Sequence, residues 1–163
     1  MYIGCSTNGF YPQLGGAAAL TEIGALGFTH AEVMLYHQRQ YATESFRSYG
    51  KSARDAGVSI VGLHLEPDMH LPFDPEPAVV ADAWNNFDLA IAGATELGAS
   101  TVIWQGPIRV EYPVESGMEP LVDVVVELDR RCQAAGVRLA LENSESGVLS
   151  TLRDFIEIGP RLP

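Results

Sequence analysis

The segment GVRLALENSE, Gly136 to Glu145, decides how the whole chain is read. Val137 to Leu141 reads as a fully buried strand, yet it runs into the carboxylate of Glu142, followed by Asn143. An ionised carboxylate is not buried alone, because desolvation shifts its pKa or demands a partner such as a metal ion. The strand end therefore predicts a partner for Glu142.

The same grammar recurs three more times. ALGFTHAEVML, DAGVSIVGLHLE and ELGASTVIWQGP each carry a helical tail, then Gly, then a short β-rich apolar run with a polar end. The glycines stand at 27, 57, 98 and 136, which makes the spacings 30, 41 and 38 residues. That is about one strand, loop, helix and return loop. Each Gly falls where a helix has to end in a left-handed residue before the next strand, so the four read as C-cap glycines.

Helical signals fill the intervals. Ala17 to Leu26 is alanine-rich, and Glu44 to Ala56 places Phe46, Tyr49 and Ala53 at three- and four-residue spacing. Pro77 opens a long helix to Leu97 with Val80, Trp84, Phe87, Ile91 and Ala94 on one stripe. Met118 to Ala135 carries a similar stripe, and Ser150 or Thr151 can cap a last helix through Phe155 and Ile156. With YIGCST as a first strand (about 2–6), the other strands are expected at 30–35, 59–64, 101–105 and 138–142. Strict alternation implies parallel strands and an α/β class, either a barrel or an open sheet. CSTNGFYPQLGG contains no GxGxxG or GxxxxGK[ST] phosphate turn. The doubly wound sheet loses its usual signature, and the (β/α)8 barrel is favoured.

Period-two alternation then sorts the strand residues. An inward Glu142 goes with Ala140, leaving Leu139 and Leu141 for the helices. His64 goes with Gly62 and Ile60, Glu32 with His30 and Met34, and Gln105 with Ile103 and Thr101. Parallel α/β folds gather ligands at the carboxyl ends of strands, where all four polar residues lie. Trp104 faces outward as core packing. Glu66, Asp68 and His70 in HLEPDMHLPFDP read as a solvated loop near the mouth.

Composition narrows the partners. Ten basic residues against 21 acidic ones give a net charge of -11, which argues against a face that grips nucleic acid. No leader and no apolar run of roughly 18 residues is visible, so neither secretion nor a membrane span is indicated. Cys5 and Cys132 stand far apart and fit two reduced thiols of a cytoplasmic protein.

GFTHAEVML, AGVSIVGLH, LGASTVIWQGP and GVRLALENSE together resemble successive strand segments of the xylose isomerase-like TIM barrels, the superfamily of sugar isomerases and epimerases that also contains the type IV AP endonucleases. LALEN is the most specific element. The resemblance implies a small sugar or sugar phosphate as substrate and a divalent ion, Mn²⁺, Mg²⁺, Co²⁺ or Zn²⁺, bound in part by Glu142. It also implies that Glu142 exchanges a proton with substrate through an ene-diolate, while His64, Glu32 and Gln105 bind or orient the sugar. A barrel of this kind takes about 250 residues. Residues 1–163 are therefore expected to be the N-terminal portion of one barrel domain, about five βα units. The strands supplying an Asp, a His and a second Glu would follow, and the fragment alone would be inactive. A homo-oligomer is compatible with this reading.

Two other functions compete. The endonuclease branch has a His where Gln105 stands, and the acidic balance disfavours DNA. A non-catalytic carbohydrate-binding barrel is the third. The residues also have plainer roles open to them: His64 as a satisfied core histidine, Glu32 bridged to a basic residue, Gln105 as a hydrogen-bonding filler, Glu142 paired with an Arg or Lys.

Overall fold

The structure, a computed structural model, describes residues 3–66, 71–112 and 117–162. Five strands, β1 (Cys5–Ser6), β2 (His30–Leu35), β3 (Ser59–Leu65), β4 (Thr101–Trp104) and β5 (Arg138–Leu141), form one sheet in that spatial order. Every pairing is parallel. The helices α1 (Gly16–Ala25), α2 (Thr43–Asp55), α3 (Pro77–Leu97), α4 (Glu119–Ala134) and α5 (Leu152–Ile158) alternate with them. Spatial order that follows chain order is the arrangement of a barrel wall; a doubly wound sheet reverses direction part way across. Among the described residues no helix is long and apolar enough to cross a membrane.

The four repeated glycines act as the sequence predicts. Gly27, Gly57, Gly98 and Gly136 have φ of 87°, 69°, 69° and 72°. At each, the following amide reaches back to a helix carbonyl five residues earlier: Phe28 to Ile23, Val58 to Ala53, Ala99 to Ala94 and Val137 to Cys132, at 2.8–3.2 Å. This is the Schellman turn, which satisfies the last carbonyls of a helix and needs a residue free to take positive φ.

The apolar core lies between one face of the sheet and the helices. Ala31, Val33, Leu63, Val102 and Trp104 meet Leu20, Ile23, Phe46, Phe87, Leu121 and Leu128, all buried. Trp104 is fully buried and meets the Phe87 ring edge-on at 5.4 Å. Between α3 and α4, Arg131 stacks over Trp84 at 4.4 Å and grips Asp88 through two bonds of 2.8 Å. On the other face Glu32, Thr101, Ile103 and Ala140 are only partly covered.

Two strand expectations are corrected. Ile60 does not share a face with Gly62 and His64. The β2–β3 register slips between Ala31 and Glu32, so that Ile60 pairs with Ala31 while Gly62 pairs with Glu32. The extra residue turns Ile60 to the helix side, where it lines a crevice with Ala53 of α2 and Leu97 of α3. Nor is 137–141 buried throughout: Val137 is, but Arg138 is exposed and Leu139 to Leu141 are half-buried. β5 has only β4 beside it, so its cover is one-sided.

The α2–α3 contact rests on an absent side chain. A Cβ on Gly93 would lie 2.4–2.6 Å from the Phe46 ring. Gly93→Ala is therefore expected to cost about 1–3 kcal/mol of stability through overpacking. Combined with Phe46→Leu it should cost less than the two changes summed. Urea midpoints measure both, and an unchanged midpoint in Gly93→Ala would show that helix spacing is set elsewhere.

Candidate functional site

The carboxyl ends of the five strands carry one connected set of polar groups. Ser6 at the end of β1 donates its hydroxyl to Glu32 Oε1 at 2.9 Å. The same oxygen lies 3.1 Å from His64 Nδ1. Across the ring, His64 Nε2 lies 3.1 Å from Glu142 Oε2, and that oxygen accepts a hydrogen bond from Gln105 Nε2 at 3.0 Å. The imidazole therefore stands between two carboxylates that enter the chain 110 residues apart.

The backbone explains why these groups meet. Glu32 pairs with Gly62 and His64 with Met34. Gly62 puts no side chain beside Glu32, leaving that carboxylate room to reach the imidazole two residues further along. A Cβ on Gly62 would meet Ile103 Cδ1 at 3.2 Å, so that layer of the wall is already filled. Gln105 and Glu142 fall one residue beyond the ends of β4 and β5, not within them as the sequence reading has it. Glu142 N still bonds Trp104 O at 3.0 Å, which holds its backbone in line with the sheet.

The electrostatics are uneven along this set. His64 is 7% exposed, whereas the Glu142 side chain is 47% exposed, so Glu142 is not the buried acid that the strand pattern implies. Its contact with His64 is short but off the line of a hydrogen bond. Nε2 thus remains a buried nitrogen without a hydrogen-bond partner among the described residues. Burial pushes the Glu32 carboxyl up, but the hydrogen bond and charge of His64, aided by the Ser6 hydroxyl, outweigh it and hold its pKa below the usual 4.5.

The four residues singled out from sequence, Glu32, His64, Gln105 and Glu142, are brought together. Neither Lys nor Arg pairs with Glu142 or Glu32 among the described residues. Asp68 and His70 lie outside the described residues. Ser6 was missed; its signal was its place at the end of the first strand, the same position that marked the other four strands. Arg109 was missed as well. Its guanidinium donates to Gly147 O and Ser150 Oγ at 3.2 and 3.0 Å, tying the loop after β4 to the loop that follows Glu142.

A cation would find one ligand here. Glu142 Oε1 accepts no hydrogen bond among the described residues and its carboxylate is open to the mouth, which suits a hard divalent ion. Among the described residues, however, no three His, Cys, Asp or Glu side chains are placed to hold a metal. Such an ion takes about six donors, so these residues do not complete a shell.

A family model described as "Xylose isomerase-like TIM barrel" matches residues 20–161. Among solved structures, the chain superposes on D-psicose 3-epimerase from Clostridium cellulolyticum H10 with a TM-score of 0.75 at 17% identity, covering 99% of this chain and 60% of that one. D-allulose 3-epimerase from Methylomonas sp. gives 0.76 at 16% identity, with 99% and 59% covered. A D-tagatose 3-epimerase-like protein gives 0.78 at 17%, with 97% and 60% covered. The chain thus spans about 60% of the length of the solved structures it matches. No protein of curated function matches the sequence.

The lowered pKa of Glu32 has a sign that can be checked. Because its folded value lies below 4.5, its contribution to stability is present above about pH 4.5 and is lost as pH falls through the folded value. The gap in unfolding free energy between the parent and Glu32→Gln is expected to narrow below about pH 4.5. Urea melts across that range measure it, and a gap that does not respond to acid would contradict the Glu32–His64 coupling.

Proposed function

The chain belongs to the xylose isomerase-like TIM barrel family, and from that premise we propose that residues 1–163 are the N-terminal part of a single barrel domain that isomerises or epimerises a small sugar. The carrying observation is the meeting of Glu142, His64 and Glu32 at the carboxyl ends of the strands. The fold likeness to proteins named as sugar 3-epimerases supports the substrate class.

Glu142 is the proton-transfer group. Its carboxylate is open to the mouth and takes the proton from the carbon beside a sugar carbonyl, leaving an ene-diolate. Return of a proton to the opposite face of that carbon gives the epimer; return to the former carbonyl carbon gives the isomer. Gln105 fixes one oxygen of Glu142 so that the other points at substrate. His64, anchored by Glu32 and Ser6, presents Nε2 beside the same carboxylate and is placed to bind a substrate hydroxyl. A divalent ion, Mn²⁺, Mg²⁺, Co²⁺ or Zn²⁺, with Glu142 among its ligands, would supply Lewis-acid polarisation of the carbonyl and its neighbouring hydroxyl.

The test is solvent exchange. In protein carrying the whole barrel, deuterium should enter a ketose at the carbons beside its carbonyl. Glu142→Gln should slow that exchange about 100-fold or more while leaving the urea midpoint close to the parent's. Undiminished exchange in the variant would remove Glu142 from the chemistry.

A further inference from the structure

A second polar cavity lies beside this mouth, between the loop after β1 and the loop after β2. It encloses about 190 Å³ and is lined by Thr7, Tyr11, Met34, Tyr36, His37 and Arg39, among others. Thr7 follows Ser6, and Met34 stands two residues beyond Glu32 on the same face of β2, so the cavity adjoins the Glu32 side of the site.

Its walls are built and their polar groups engaged. The Tyr11 and Tyr36 rings stack at 4.0 Å with 21° between their planes. Tyr36 donates its hydroxyl to Asn8 Oδ1, and burial with the nearby Glu66, Tyr11 and Glu32 raises its pKa to about 12, so it remains a donor. Gln40 fixes the loop after β2: its Oε1 accepts from the amides of Tyr36 and His37 at 2.6 and 2.8 Å, while its Nε2 donates to Tyr49 Oη at 3.2 Å. Thr7 Oγ1 accepts from the Met34 amide at 2.9 Å.

The chain holds 21 acidic against 10 basic residues; among the described residues Arg47, Lys51, Arg130, Arg131 and Arg161 pair with carboxylates, whereas Arg39, Arg54, Arg109, Arg138 and Arg153 do not. Arg39 lines the cavity with no carboxylate partner among the described residues. The exposed Arg39 guanidinium, on a loop tied down by Gln40, presents a planar fork of donors that suits a bidentate oxyanion. The volume suits a small polar group and part of a sugar, and the tyrosine rings offer an apolar face to its C–H bonds.

We propose that this cavity receives the anionic end, a phosphate or a carboxylate, of a sugar substrate whose other end faces Glu32 and His64. The proposal rests on the sugar isomerase or epimerase reading and names its substrate class: a sugar phosphate or a sugar acid. Arg39 binds the oxyanion and sets specificity; it takes no part in proton transfer.

Inorganic phosphate is the first probe. Titrated into the protein, it should give saturable NMR shifts at the Arg39 Nε–H and the amides of Gly15 and Gly16, which also line the cavity. Arg39→Gln should abolish them. A hexulose 6-phosphate should bind at least about tenfold more tightly than the uncharged hexulose, and Arg39→Gln should bring that ratio close to one. A hexuronate run alongside identifies the head group: the tighter of the two anions names it. Equal affinity for charged and uncharged hexulose, or phosphate shifts that do not saturate or survive Arg39→Gln, would overturn the proposal. The two readings fail separately. Glu142→Gln that retains solvent exchange sinks the isomerase chemistry alone, because Arg39 binding of inorganic phosphate does not depend on that carboxylate.

Discussion

The structure depends on a backbone constraint repeated four times: a helix closed by a left-handed glycine, with the next strand starting two or three residues later. The Schellman bonds fix where each helix stops, and the short count from glycine to strand fixes which residues alternate inward and outward. A shift of one residue would turn Val33, Val102 or Trp104 away from the helices and expose the core's largest side chains. Burial of that outer face thus holds the register, and the register decides which side chains arrive at the mouth.

What arrives there is a path of hydrogen bonds and close polar contacts across the ends of all five strands, from Ser6 through Glu32, His64 and Glu142 to Gln105. It crosses the strands and links residues far apart in the chain. Gly62 matters here as much as the polar groups, because its missing side chain lets a carboxylate on β2 reach an imidazole one pleat further along β3. Burial along the path is uneven among the described residues. The imidazole in the middle is sheltered and fixed, while the carboxylate at the β5 end is open to a ligand.

Much of this was legible beforehand. The glycine spacing carried the element order, and the polar strand ends carried Glu32, His64, Gln105 and Glu142, since both signals are local and periodic. The slip at Ile60 was not legible, because a single added residue in β3 leaves the apolar pattern unchanged while reversing the side that Ile60 faces. The exposure of Glu142 also escaped. An apolar run tells how much burial a strand can use, and the number of neighbours it acquires determines how much it receives. Arg109 escaped for another reason: its partners are about 40 residues away, and nothing in an arginine announces a distant loop carbonyl.

The path across the mouth also implies an order of tolerance to change. Its two ends, Ser6 and Gln105, each contribute one neutral donor, and a substitution there releases a carboxylate oxygen that water can reach. His64 in the middle is itself buried, and replacing it would leave the Glu32 and Glu142 carboxylates without the imidazole between them. Drift or redesign of this pocket would therefore begin at the two ends of this path and work inward, with the central histidine the last position to give way.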